Sequence, residues 1–408
     1  MSSPVRRSSY VAVLSVPSAK RAFIAALLGR LSYGTVSLSL TLALTATTGS
    51  YGLAGGVIAL FGLAASLLSP LRAGLIDRYG ARRVLPPMAV VYALLLIVLA
   101  ALTWRPGTPG GLLAALAIAA GGCAPPLGPV MRALWSDLLP DRHLLQRAYS
   151  LDTVAEEVLF VTGPLLAGLL AALVTPAAGL VLSAALVTTG TFAFVSSPAI
   201  RTARASHAGA DTGPAPARPR QRWSAGGRAL IPAVATSAAV GLCLGALSLL
   251  MVVFAERHHQ VAAVAWAEAA LSVGSAVGGL AYGVISWRVS GTARLRVLAV
   301  ALGLALTAAG ASPNLYTLIA AAGAVGLFVA PALTTAYLLA DELADPENRT
   351  QAGAWVNTFF NTGSSMGTAG IGLLIGDLPL ALCFVLAAVP ALLSALLAVR
   401  RPVPSPAA

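Results

Sequence analysis

Charged side chains are scarce in this chain, and five of them stand inside long apolar runs: Arg30, Asp152, Glu156, Glu157 and Glu268. A charge in the hydrocarbon of a bilayer costs at least about 2.5–3.5 kcal/mol unless it is paired or wetted. Arg30 follows Arg21 by nine residues, and Glu156 and Glu157 follow Arg147 by nine and ten. At the rise of an α-helix that is ~13 Å of depth for each. If both helices start on one side of a membrane, the opposite charges lie level, which suits a buried ion pair or a polar cavity. Asp152 and Glu156, four apart, share a helix face and extend that strip. The competing reading has Arg30 and Asp152 snorkelling to the interface. Glu268 has no basic neighbour in sequence. An acid there holds its proton or faces water, and either state suits proton binding or cation recognition. The plainer alternative is a protonated acid satisfied by a neighbouring helix.

Other chemistries find no support. There is no GxxxxGK[ST] phosphate loop, so an ATP-driven pump is not indicated. Neither a nucleophile elbow nor HExxH occurs, so the chain is expected not to be an enzyme. Cys123, Cys243 and Cys383 are far apart and His258-His259 stands alone, so neither disulfide, metal nor cofactor is expected.

The elements that carry these residues must be membrane helices. Apolar residues make up 58% of 408 and charged residues only 10%, against about 25% charged in soluble domains. Gly and Pro are frequent but fall inside the apolar runs, where membrane helices tolerate them. With about 20 apolar residues needed per crossing, twelve spans are expected: 22–46, 53–71, 84–104, 111–131, 149–173, 178–198, 229–254, 261–287, 294–311, 315–340, 352–375 and 379–399. The first run is too long for a signal peptide, so it is expected to remain as the first span.

Twelve spans put both termini on one side. Of 26 basic residues, 23 fall on that side and only Arg105 and Arg257 on the other, with Arg30 between. The positive-inside rule makes that side cytoplasmic. Such a dispersed charge of +12 is a topology signal, so no nucleic-acid partner is expected. Residues 201–228 carry six arginines and three prolines without apolar periodicity. They read as a basic cytoplasmic linker between two six-helix bundles, 1–200 and 229–408. The halves repeat at a shift of 204: Asp137 matches Asp341, Gly163 matches Gly367, and Gly168-Leu169-Leu170 matches Gly372-Leu373-Leu374. That is the pattern of a duplicated six-helix unit.

Between spans two and three lies Ala73-Gly74-Leu75-Ile76-Asp77-Arg78-Tyr79-Gly80-Ala81-Arg82-Arg83, read as a short basic turn at a membrane surface. An Asp-Arg-x-Gly turn followed by Arg-Arg resembles the loop between helices 2 and 3 of the major facilitator superfamily. The resemblance implies that Asp77, Arg78, Gly80 and Arg82 form the latch holding the two halves in the outward-facing state. Ala73 and Ala81 depart from the pattern, and the second-half counterpart, 283–288, lacks the acid. A purely topogenic basic loop is the alternative, but it would need no Asp.

Gly163-Pro164-Leu165-Leu166-Ala167-Gly168 resembles, in part, the Gly-Pro-x-x-Gly-Gly element of the family's proton antiporters. Leu159 and Ala167 stand where those carry Gly. A Gly-Pro kink for close packing is the alternative. Small-residue pairs Gly274/Gly278, Gly279/Gly283 and Gly363/Gly367 mark close helix approach on helices expected at the moving interface between halves. Asn357 and Asn361 are candidates for cavity lining or for cross-helix hydrogen bonds.

The resemblance implies an all-α major facilitator fold and a secondary active transporter working by alternating access. The first reading is proton-coupled efflux of a small amphipathic or hydrophobic compound, cationic solutes included. The alternatives are uptake of a sugar or other small metabolite, and a non-transporting membrane sensor or binding protein. A sensor would need an appended signalling domain, for which neither terminus nor the linker has the length. The expected setting is the inner membrane of a bacterial cell, with both termini cytoplasmic. The expected partners are a small-molecule substrate, protons and the lipid bilayer, with the protein a monomer.

Overall fold

A computed structural model describes residues 10–104, 107–200 and 229–397. The 201–228 linker and Arg105 lie outside the described residues. All regular structure among the described residues is helical. A short α1 (Tyr10–Leu14) precedes α2 (Ala19–Thr48), the first span. The second span is α3 (Tyr51–Leu67) and α4 (Ser69–Tyr79), and the third is α5 (Ala81–Thr103). The fourth is α6 (Gly110–Cys123) and α7 (Leu127–Leu138), followed by α8 (Arg142–Leu173) and α9 (Pro176–Ser196). The second six are α10 (Ile231–Arg257), α11 (Val264–Val284), α12 (Gly291–Ala309), α13 (Leu315–Leu343), α14 (Arg349–Leu374) and α15 (Leu380–Leu397). Ten of these spans are long and apolar enough to cross a membrane. Of the remaining two, α14 has the length but more polar side chains, and α15, at 18 residues, is the shortest. The chain is an all-α membrane protein of twelve helices in two six-helix bundles.

Three boundaries differ from the sequence reading by seven residues or more, each for a local reason; span five begins at Arg142 and not at 149, because Asp141 caps α8 by accepting the His143 N–H. The basic segment 73–83 is not a loop. Residues up to Tyr79 are helical, and Gly80 alone makes the turn, at φ 86°, which glycine adopts without strain. Span four does not end at 131. It leaves the helix at Ala124-Pro125-Pro126 and resumes as α7 to Leu138.

Each break frees backbone carbonyls that must find donors away from water. Arg72 supplies them at one: its Nη1 donates to the Gly121 and Gly122 carbonyls at 2.8 and 3.0 Å, and its Nη2 donates to the Ala65 carbonyl. Tyr33 donates its hydroxyl to the Pro125 carbonyl. Arg72 is therefore buried, not a residue of a cytoplasmic loop.

The described residues form two compact units, which exchange two short stretches: Tyr149–Val154 belongs with the second and Asp345–Thr358 with the first. In the first unit, Leu40, Leu44, Tyr92, Leu96, Leu113 and Leu180 form the centre of an apolar core. There α2 crosses α9, with Thr35 and Ser183 hydroxyls 2.6 Å apart. In the second unit, the small-residue pairs close helix contacts internally. A Cβ at Gly363 or Gly367 would fall on the α10 carbonyls of Ala238 and Leu242, and one at Gly274 or Gly278 on the α13 carbonyls of Gly323 and Leu327. A Cβ at Gly279 would meet Val154 of α8 and Ala330 of α13. Exposed Tyr51, Trp104, Trp266 and Tyr316 lie at helix ends opposite the arginine-rich ends, where interfacial aromatics anchor a bundle.

Candidate functional site

Arg30 and Glu156, from α2 and α8, meet inside the first unit. Arg30 Nη2 is 3.0 Å from Glu156 Oε2. A third residue joins them: Arg132 on α7 donates Nη2 to the same carboxylate oxygen. Both arginines are nearly closed to solvent, at 3% and 2% exposure, while the Glu156 side chain keeps 27%. One carboxylate thus ties together three helices. The break in span four makes this possible. It directs α7 inward against α2, so that residues 127–132 are all buried and Gly128 leaves room for the Arg30 guanidinium.

Arg132 is a functional candidate that the sequence reading counted among cytoplasmic loop residues. Span four, taken as 111–131, stopped one residue short of it. Pro140 was the available signal: it marks the helix end eight residues beyond Arg132, which puts the arginine well inside. Asp152, one turn before Glu156 on α8, is fully buried. Glu157 is half-buried on the same helix.

Glu268 sits on α11 in the second unit and is half-buried. Among the described residues it enters no ion pair.

Asp77 ends α4 with a specific task. Its Oδ2 accepts the backbone N–H of Gln351 at 2.9 Å. Gln351 lies in the first turn of α14, whose first N–H groups have no partner of their own helix. Asp77 therefore caps α14 from a distance and sets a negative charge at its positive end. Three further bonds fix the same stretch of α14. Gln351 Nε2 donates to Pro70 O at 3.2 Å, Arg349 pairs with Asp137 at 3.4 Å, and the Thr358 hydroxyl donates to Ser66 O at 2.7 Å. A Cβ on Gly74 would stand 2.9 Å from the Gln351 amide nitrogen, so Gly74 leaves the Gln351 side chain in place. Arg78 and Arg82 do not reach Asp77's partners. Arg78 lies over the Tyr79 ring at 5.2 Å, and Arg82 is exposed.

A family model described as Major Facilitator Superfamily matches residues 22–299 and again 237–408. The chain belongs to the major facilitator superfamily. It is accordingly a multi-pass membrane transporter and not an enzyme. Solved structures of superfamily transporters share its fold. The human organic anion transporter MFSD10 is 17% identical over 97% of this chain and 100% of its own, with a TM-score of 0.69. A bacterial homologue of the iron transporter ferroportin, outward-facing, is 16% identical over 93% and 97%, with a TM-score of 0.68. The proton:xylose symporter XylE is 10% identical over 93% and 94%, also at 0.68. No curated protein matches the chain.

Within this superfamily fold, Gly163 on α8 meets Gly34 on α2 so closely that a Cβ on Gly163 would overlap the Gly34 backbone. Pro164 lies inside α8 without ending it, and Gly168 faces open space. Asn357 and Asn361 are half-buried, one turn apart on α14. Among the described residues no cluster of His, Cys, Asp or Glu could hold a metal ion.

Proposed function

We propose that this transporter exports a small amphipathic or hydrophobic compound in exchange for protons, by alternating access. The observation that carries the coupling is Glu268, a half-buried acid in an apolar helix that enters no ion pair among the described residues. An acid without a neighbouring cation can gain and lose a proton without breaking an ion pair. Glu156 differs, since a proton there would break its pairs with two arginines. The apolar make-up of the spans supports an amphipathic substrate over a sugar, which needs a polar lining.

Asp77 serves as the latch in this reading. The helix it caps, α14, runs from the first unit into the second. A grip on its start restrains the second unit, and release allows the rearrangement of alternating access. The distribution of arginines supports cytoplasmic termini and a bacterial inner-membrane setting. The protein works as a monomer in this reading.

The test is a pH-gradient assay in inverted vesicles, challenged with amphipathic toxic compounds and with sugars. Proton release driven by an amphipathic compound is expected. Proton movement driven only by a sugar would make the protein an uptake permease, and none with either would remove the coupling.

A further inference from the structure

The corner between α4 and α5 carries three exposed arginines, Arg78, Arg82 and Arg83, that enter no ion pair among the described residues. The only acid of these two helices, Asp77, is committed to the start of α14. Directly beside this corner lies a cleft of about 380 Å³. Its walls are Leu75, Tyr79, Arg83, Val84, Met88 and Val91, with Cys123 at the inner end.

The cleft has a structural cause. α6 packs on α3 and α5 as far as Cys123, where span four leaves the helix. Its continuation, α7, packs against α2 instead. Beyond Cys123, α4 and α5 therefore lose the neighbour that would cover them. Leu75, Tyr79 and Val91 remain exposed as a result.

We infer that this cleft binds an anionic phospholipid. The chemistry of its two ends differs in the way a phospholipid's does. At the mouth, Arg83 lines the wall, and the Arg78 guanidinium lies over the ring of Tyr79, itself part of the wall. Both are placed to bond a headgroup phosphodiester. From there to Val91 the wall is apolar over eight residues of helix, about 12 Å, which fits the upper part of an acyl chain. A soluble anion would use the arginines but have no use for the apolar wall. A neutral lipid would use the wall but leave the arginines unanswered. Because the same corner holds Asp77, a bound lipid would tune the grip on α14. The binding claim itself does not depend on the transport reading.

Native mass spectrometry of the full chain in mild detergent tests this, with phosphatidylglycerol and phosphatidylcholine of equal chain length offered together. One retained phosphatidylglycerol is expected, preferred about tenfold, given the attraction of basic residues for anionic headgroups. The double variant Arg78→Gln/Arg83→Gln should lose that preference, and Val91→Trp should lose it by filling the cleft with the arginines intact. Arg142→Gln, an exposed arginine elsewhere, should keep it. Equal retention of both lipids by the unmodified protein would overturn the proposal. So would an undiminished preference in both cleft variants, or displacement of the lipid by millimolar inorganic phosphate.

Discussion

The Asp77 carboxylate accepts the N–H of Gln351, 274 residues along the chain, at 2.9 Å. A capping bond of this kind contributes about 0.5–2 kcal/mol, and the helix dipole adds up to ~2 kcal/mol when partly buried. Replacing Asp77 with Asn removes the charge but leaves the fold's apolar contacts untouched. Membrane expression should stay normal while transport falls about five- to thirtyfold, the range that 1–2 kcal/mol spans. A cysteine placed at Gly353 should become more reactive. Unchanged turnover in a well-expressed Asp77→Asn protein would leave the acid with a topogenic role only.

Glu156 is bound by both Arg30 and Arg132, which ranks the substitutions at this site. Glu156→Gln leaves two buried guanidiniums without their shared anion, and losing one side of a buried pair costs about 3–5 kcal/mol. Arg30→Ala leaves Glu156 with Arg132 and should cost less. The double variant Arg30→Ala/Glu156→Gln should be more stable than Glu156→Gln alone. Thermal unfolding in detergent reads the order. Additive losses, or an unaffected Glu156→Gln protein, would show that the three side chains are not coupled.

The two glycines of α8 should respond in opposite directions. Gly163→Ala forces α8 off the Gly34 backbone, and overpacking of this type costs about 1–3 kcal/mol. Gly168→Ala meets nothing within 4 Å and gains helix propensity, so stability should rise by up to ~1 kcal/mol. Melting temperatures moving the same way for both would refute the packing described for α2 and α8.

Helix existence was legible because each apolar run is long enough to leave no alternative to a crossing. The meeting of Arg30 and Glu156 was also within reach, since each follows a basic residue, Arg21 or Arg147, by nine positions. Arg132 was legible only as lying inside a helix that ends before Pro140, and nothing in the sequence aims it at Glu156. Pro125-Pro126 was visible in the sequence but says only that a helix is disturbed, not that its second half turns inward. The donor for Asp77 was out of reach for a different reason. Capping is local in most helices, and nothing in residues 73–83 names a partner in the other half of the chain. The likeness of the halves even pointed elsewhere, to 283–288, which lacks the acid.

The central claim is that Glu268 carries the coupled proton, and a comparison of Glu268→Gln with the unmodified protein tests it most directly. Gln keeps the size and polarity of the side chain but cannot exchange a proton. In proteoliposomes, Glu268→Gln should abolish efflux driven by a pH gradient while substrate exchange without a gradient continues at a measurable rate. If the variant still pumps against a gradient with its normal pH dependence, Glu268 is a structural acid and the coupling assignment is wrong.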